Sequence, residues 1–169
     1  MLNLLKTRRS IRKYTNEMPQ DEDIDRIVEA GLYAPSARGR QCVRFVVIKN
    51  KETRDKIAKL NAEVMGATID PFYGAPVVIV VFADKEFATY VKDGSLAIGN
   101  MLNEAHCLGL GSCWIDRAKE TFESEEGKKL LEAWGLEGYE GIGNVIVGFA
   151  DGKIPEAAPR KDGRVIIVE

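Results

Sequence analysis

The segment DGSLAIGNMLNEAHCLGLGSCWI, residues 93–115, sets the architecture of this chain. Small and apolar residues occupy nearly every position from 94 to 108, and the run stops at Gly109. A helix that is apolar on nearly every face is a buried helix, and glycine is common just past a helix end. We therefore predict a helix over 94–108, at the centre of the core or of a subunit interface, and a short strand near 112–115.

Helices and strands alternate on both sides of this segment. Apolar residues at helical spacing follow Pro19 and an acidic first turn, which predicts a first helix over about 20–33. Other patterns predict helices around 57–64 and 124–134 and strands at 43–49, 76–83, 142–149 and 164–168. This interleaving indicates an α/β or α+β fold. The last strand follows a long loop with two prolines, so it could reach a neighbouring subunit.

Length and composition limit the class of protein. The 169 residues, 45% hydrophobic and 30% charged, are typical of one globular domain spanning 1–169. With 24 Lys plus Arg against 26 Asp plus Glu, the net charge of −2 does not favour nucleic acid as a partner. The longest apolar run, 75–83, is far shorter than the roughly 20 residues of a membrane helix. We expect a cytoplasmic protein that binds neither nucleic acid nor membrane, with no signal peptide.

The residue types that usually carry catalysis are scarce. The single histidine, His106, lies within the central helix, and none of the cysteines at 42, 107 and 113 forms a CxxC pair, so a zinc site lacks its ligand spacing. A dinucleotide motif fails because Trp114 stands where GxGxxG needs its last glycine. We predict that His106 is a satisfied core or interface residue and that Cys113 is a plain buried thiol. No catalytic side chain and no metal site are therefore predicted, and a bound cofactor would carry the chemistry.

Three basic clusters indicate what kind of cofactor this is. The segment KTRRSIRK, residues 6–13, holds five basic residues and no acidic one, and further clusters lie at 38–44 and 160–161. Arginine forks match phosphate oxygens, and three charge-assisted hydrogen bonds supply about 4.5–9 kcal/mol before the costs of binding. A solvated basic helix start is the alternative for the first cluster alone. The three clusters together favour a phosphorylated cofactor.

Six segments, in order along the chain, resemble the FMN-dependent nitroreductase family in its compact form. They are RRSIRKY (8–14), AGLYAPSARGRQ (30–41), DPFYGAPVVIVV (70–81), the segment at 93–115, IGNVIVGFA (142–150) and APRKDGRV (158–165). The resemblance implies an α+β fold with a mixed sheet flanked by helices. It also implies an intertwined homodimer with two FMN sites at its interface, in which the strand at 164–168 is exchanged into the partner's sheet.

The resemblance further implies which residues hold FMN. The phosphate and ribityl end would be bound by residues from both ends of the chain: Arg8, Arg9, Ser10, Arg160 and Lys161. Arg12 would lie near the pyrimidine edge of the ring, and Asn61 would correspond to a family asparagine there. A loop of the other subunit would flank the ring with Pro35, Ser36, Ala37, Gly39 and Gln41. The turn of Cys113, Trp114, Ile115 and Asp116 would approach from the opposite side, with backbone N–H groups of Ile115, Asp116 or Arg117 near flavin N5 and O4.

The function implied is an NAD(P)H-dependent FMN oxidoreductase. NADH or NADPH would reduce the flavin, and a nitroaromatic, quinone or related acceptor would then reoxidise it in a ping-pong sequence. Two alternatives stay open: flavin reduction or another flavin-processing reaction on the same fold, and a flavin-binding module without turnover. The chain departs from the family pattern PSxxNxQPW, with Gly39 in place of the asparagine and Cys42–Val43 in place of Pro-Trp. The resemblance therefore does not specify the electron acceptor.

Overall fold

Six α-helices and four strands make up the computed structural model, which describes residues 1–169. In chain order they are α1 (Leu2–Thr7), α2 (Asp21–Leu32), β1 (Val43–Ile48), α3 (Lys51–Val64), β2 (Val77–Asp84), α4 (Tyr90–Cys107), β3 (Gly111–Ile115), α5 (Ala118–Glu123), α6 (Glu125–Ala133) and β4 (Tyr139–Gly148). A single 3₁₀ turn covers Ala37–Gly39. The longer predicted elements are present, with ends that differ by a few residues.

The four strands form one sheet in the order β1-β2-β4-β3, and every neighbouring pair is antiparallel. The predicted α+β class is confirmed, but the sheet of one chain is not mixed. After α3, residues 65–76 carry the chain back to the end where β1 finishes, so Ile48 pairs with Val78 and β2 runs opposite to β1. The one parallel pairing is a bridge between Ser10 and Ser112, at the free edge of β3.

Apolar residues of the sheet alternate between two cores because successive strand side chains point to opposite faces. One face packs on α2 and α4, where Ile27, Ile98 and Met101 are fully buried or nearly so. The other packs on α3, α5 and α6, with Phe82 in edge-to-face contact with Phe122 at 4.8 Å between ring centroids. The sheet is thus a rigid layer between two helical layers, and β3 forms its accessible edge.

Within one chain, helix α4 is buried on the face that it turns toward the sheet. Ile98, Met101 and Ala105 face the sheet, whereas Val91 and Leu96 are about half exposed. The sheet-facing side agrees with the predicted core position, and the predicted subunit interface on the outer side stays a prediction. Neither α4 nor any other helix combines the length and apolar character needed to cross a membrane.

The predicted strand at 164–168 is not formed within the chain. Residues 151–169 run along the outside, and Val165, Ile166, Ile167 and Val168 are 79–91% exposed. A strand needs a partner edge for its backbone N–H and C=O groups, and this segment pairs with no strand of its own chain. Helices α1 and α5 were not predicted, because six residues are too few to show a helical period.

Ser124 joins α5 to α6 and provides a test of local stability. Its Oγ accepts a hydrogen bond from the N–H of Gly127 at 3.0 Å and donates one to the carbonyl of Thr121 at 2.7 Å. Ser124→Ala should lower the free energy of unfolding by about 1 kcal/mol, as loss of a helix cap does. Urea denaturation measures this change. Ser124→Thr is the control, because its hydroxyl can accept from the Gly127 N–H and donate to the Thr121 carbonyl, and equal losses in both variants would contradict the capping role.

Candidate functional site

The segment that follows α1, residues 8–14, is fixed against the edge of β3, and we call it the arm. The N–H of Ile11 donates to the carbonyl of Ser112 at 3.0 Å, and Tyr14 pairs with Ala150 at the end of β4. Ile11 and Tyr14 are buried, and a side chain at Gly111 would meet Ile11 at 3.0 Å, so glycine allows this close approach. Burial raises the pKa of the Tyr14 phenol, whose hydroxyl donates to the carbonyl of Ile11. The arm therefore holds Arg8, Arg9 and Ser10 at the start of β3.

Two guanidinium nitrogens of this arm are buried without a partner. Arg8 Nη1 and Arg9 Nε donate to no acceptor in the chain. Arg9 Nη1 donates to the carbonyls of Lys6 and Arg8, at 2.8 and 2.6 Å, which holds that guanidinium at the end of α1. A buried donor left unpaired costs about 1–3 kcal/mol, more when charged, and arginine does not lose its proton in proteins. The pair is thus a preformed set of donors that lacks an anion.

The turn after β3 is held from behind by two asparagines. Asn61 of α3 and Asn144 of β4 are both fully buried. Asn61 Nδ2 donates to the carbonyl of Asp116 at 2.8 Å and to Thr121 Oγ1 at 3.2 Å. Asn144 Nδ2 donates to the carbonyl of Ile115 at 3.2 Å and reaches that of Asp116 at 3.4 Å. These contacts immobilise the turn at the far end of β3 from the arginines.

Arg117 completes this turn in a left-handed conformation, with φ of 68°. Its Nη2 and Nε donate to Asn61 Oδ1 at 3.1 and 3.2 Å. Both ends of the Asn61 amide are therefore engaged within the chain, and its contact with a cofactor ring stays a prediction. The sequence analysis missed Asn144, although a polar residue inside the apolar run IGNVIVGF needs a buried partner and was a usable signal.

The loop before β1 is anchored by a buried carboxylate. Asp93 of α4, 4% exposed, accepts hydrogen bonds from the N–H of Ala37 at 3.3 Å and from the thiol of Cys42 at 3.5 Å. Burial and the neighbouring Asp93 carboxylate raise the pKa of the Cys42 thiol. Ser36 Oγ accepts from the N–H of Gln41 at 3.1 Å. Pro35, Ser36 and Gln41 line a small cavity with Asp93.

Gly39 stands where the family pattern has asparagine, and the backbone explains the exchange. Its φ is 64°, and Arg38 before it and Gln41 two residues after it are also left-handed, at 55° and 50°. Glycine adopts this conformation freely, and asparagine is one of the few other residues that visits it routinely. Glycine therefore suits this backbone conformation and brings no polar side chain to the loop.

One chain brings together only part of the predicted site. Strand β3 carries both the arginine arm, beside Ser112, and the asparagine-held turn, which begins at Asp116, about 13 Å along the strand at about 3.3 Å per residue. The loop of residues 35–41 precedes β1, at the opposite edge of the sheet. Arg160 and Lys161 lie in the exposed tail, where Arg160 donates only to the carbonyl of Ala158. Arg12, which is part of the arm, is exposed.

The remaining predicted residues, Cys113, Trp114 and His106, differ in how deeply they are buried. Cys113 is 2% exposed, which confirms a buried thiol, while Trp114 is partly exposed on the other face of β3. His106 is not in the core: it is half-buried, and its Nε2 lies 2.8 Å from Thr7 Oγ1, where α1 contacts α4. This contact satisfies the histidine, as predicted.

Comparisons with known proteins agree on one family. The model of the nitroreductase family matches residues 5–72 and 67–150. A protein of Archaeoglobus fulgidus described as a candidate NADH dehydrogenase/NAD(P)H nitroreductase is 38% identical over 135 residues, 77% of this chain and 72% of that one. A protein of the same description from Methanothermobacter thermautotrophicus is 38% identical over 118 residues, 68% of this chain and 59% of that one.

Two solved structures are similar over almost the whole chain. A nitroreductase with bound FMN from Bacteroides fragilis has a TM-score of 0.88 and 29% identity, covering 99% of this chain and 98% of that one. A nitroreductase with bound FMN from Desulfitobacterium hafniense has a TM-score of 0.89 and 29% identity, covering 99% and 97%.

Proposed function

This chain belongs to the nitroreductase family, and on that premise we propose that it is an FMN-dependent oxidoreductase that uses NADH or NADPH as co-substrate. The family resemblance predicted from the sequence is confirmed, and so is the nitroreductase-like fold. The observation that carries the proposal is the buried, unpartnered pair of donors on Arg8 and Arg9. We further propose that nitroaromatics, quinones or related molecules accept the electrons.

The residues present fit FMN at both ends of β3. A phosphate group carries about −1.5 to −2 charges near neutral pH and several acceptor oxygens, which is what the donors of Arg8 and Arg9 lack. At the turn, the N–H groups of Asp116 and Arg117 donate to no backbone acceptor. They could serve the nitrogen and oxygen acceptors of a flavin ring. In FMN the ribityl chain separates phosphate from ring, as β3 separates the arm from the turn.

The mechanism places few demands on side chains. FMN, when bound, accepts a hydride from NAD(P)H and passes reducing equivalents to the second substrate. Arg8, Arg9 and Ser10 would bind the phosphate group of the cofactor. The Arg12 guanidinium, always charged, would stabilise negative charge at the pyrimidine edge of the ring. Because no side chain acts as nucleophile or general base, a single histidine outside the site is sufficient. The two substrates would bind one after the other at the same place beside the cofactor.

A homodimer with exchanged C-terminal strands would complete this site. The loop of residues 35–41 and the turn after β3 lie at opposite sheet edges, so a second copy is the simplest source of a loop beside the turn. The half-exposed Val91 and Leu96 on α4 offer an apolar interface, and the exposed run 165–168 offers a strand. The partner's sheet would receive that strand, and Arg160 and Lys161, four and three residues before it, would then join the phosphate site.

An anaerobic titration tests the proposed function. The purified protein, supplied with FMN, should show a bound-flavin spectrum that NADH or NADPH bleaches, and a nitroaromatic or quinone added afterwards should restore the colour. A stable yellow protein that neither nucleotide reduces would indicate a binding module without turnover. Reduced FMN recovered free in the filtrate, with no acceptor reduction on the protein, would indicate a flavin reductase. Failure to bind FMN at all would overturn the proposal.

A further inference from the structure

The two asparagines behind the turn act on the same carbonyl from different elements. Asn61 and Asn144 approach from α3 and β4, and both amides reach the carbonyl oxygen of Asp116, at 2.8 and 3.4 Å. Neither side chain has any exposed surface. The turn provides partners for both amide nitrogens and for Asn61 Oδ1, whereas Asn144 Oδ1 is buried without a partner in the chain. We call this pair the asparagine clasp.

Because of peptide geometry, the hydrogen bonds of the clasp also fix the direction of the N–H groups on the opposite side of the turn. In a planar trans peptide, the C=O of one residue and the N–H of the next point in opposite directions. Since the carbonyls of Ile115 and Asp116 point inward to the clasp, the N–H groups of Asp116 and Arg117 point away from it. Neither N–H donates to an acceptor in the backbone. The clasp thus aims two free donors outward at the end of β3.

The conformation of Arg117 shows that this aim is held against a local cost. A non-glycine residue in the left-handed region is disfavoured by roughly 1–2 kcal/mol. The two hydrogen bonds from the Arg117 guanidinium to Asn61 Oδ1 tie the residue in that conformation to the clasp itself. Backbone strain that surrounding contacts maintain in this way is common at ligand sites.

We propose that Asn61 and Asn144 are positioning residues of the cofactor site, which hold the N–H groups of Asp116 and Arg117 toward the flavin ring. The inference rests on the proposed function, and it gives Asn61 a role behind the turn in place of direct contact with the ring. An N–H group aimed at a carbonyl oxygen of the ring binds the form with more negative charge better, which is the reduced form. The arginine arm therefore sets how tightly FMN binds, and the clasp sets how much tighter the reduced form binds than the oxidised form.

Asn144→Leu tests this division, because leucine resembles asparagine in size and donates no hydrogen bond. We expect oxidised FMN to bind with close to the wild-type affinity and reduced FMN to bind about tenfold more weakly. That ratio corresponds to a midpoint potential about 30 mV more negative for a two-electron couple. Spectroelectrochemistry gives the potential. In the wild type, the amide proton signals of Asp116 and Arg117 should move on addition of FMN to the apoprotein, and in the variant these shifts should be smaller.

Thr121→Val is the matched control. Thr121 is fully buried and contacts Asn61 Nδ2, yet its loss leaves the hydrogen bonds to the Asp116 carbonyl in place. This variant should lose stability but keep the wild-type potential and amide shifts. An unchanged potential in Asn144→Leu, or equal weakening of oxidised and reduced FMN, would overturn the clasp while leaving the proposed function intact. A wild-type protein that binds no FMN would overturn both.

Discussion

Arg8→Ala is expected to purify without colour and to bind added FMN about 10- to 100-fold more weakly than the wild type. The buried Nη1 of Arg8 has no acceptor in the chain, so its hydrogen bond to a phosphate oxygen would be made only in the complex. A charge-assisted hydrogen bond contributes about 1.5–3 kcal/mol, and about 1.4 kcal/mol corresponds to a tenfold change in affinity. Fluorescence titration of the apoprotein with FMN measures the dissociation constant.

The same substitution should not destabilise the apoprotein. Truncation of an arginine that stabilises the fold removes favourable contacts and lowers the free energy of unfolding. Truncation of an arginine with an unsatisfied buried nitrogen removes the cost of desolvating that nitrogen, and the free energy of unfolding does not fall. Thermal unfolding of apo Arg8→Ala should therefore show a Tm equal to or above that of the apo wild type. Stabilisation on removal of a binding residue is a recognised signature of sites kept for function.

Lys13→Ala is the control for charge. It removes the same single positive charge from the same arm, but Lys13 is 74% exposed and forms a surface ion pair with Asp151 at 2.7 Å. Such pairs contribute roughly 0–1 kcal/mol, and FMN affinity should stay close to that of the wild type. Equal losses in both variants would show a general charge attraction in place of a specific contact. Full flavin content in purified Arg8→Ala would contradict the phosphate assignment.

The parts of the fold that could be predicted are those whose signal is local. The run APVVIVVFA predicts β2 because a strand buried on both faces has no polar alternation, and residues 77–83 are indeed fully buried. The six-residue helices α1 and α5 were not predicted, because a helical period needs more residues to appear in a sequence. What covers the outer face of α4 stays a prediction, because the sequence does not say which molecule covers an apolar side chain.

The candidate site likewise contains features that are visible in the local sequence and features that depend on tertiary contacts. The basic cluster that holds Arg8 and Arg9 is visible in the sequence, and the family resemblance assigned both residues to a phosphate, which stays a prediction. The role of Asn144 could not be predicted, because it depends on the carbonyl of Ile115, 29 residues earlier in the chain, which only the pairing of β3 with β4 brings near. Asn61 shows the same limit, since family position suggested a ring contact and tertiary structure engages its amide with Asp116 and Arg117.

Removal of residues 164–169 is expected to weaken dimerisation by about 100-fold or more. The four side chains from 165 to 168 are 79–91% exposed in one chain, and burial of an aliphatic side chain stabilises by about 1.5–3 kcal/mol. Loss of one such burial in each of the two subunits, about 3 kcal/mol in all, already accounts for a hundredfold change in the dissociation constant. Analytical ultracentrifugation over a range of protein concentrations measures it.

Each subunit should keep its own fold after this truncation, because the removed segment is exposed and forms no strand with its own chain. The circular dichroism spectrum is expected to match that of the full chain, and removal of Glu169 alone is the control that keeps the strand. Arg160 and Lys161 remain in the truncated chain, so a simultaneous fall in FMN affinity would report the loss of their placement by the exchanged strand. A truncated chain with an unchanged dissociation constant would contradict strand exchange and leave α4, with Val91 and Leu96, as the interface to test.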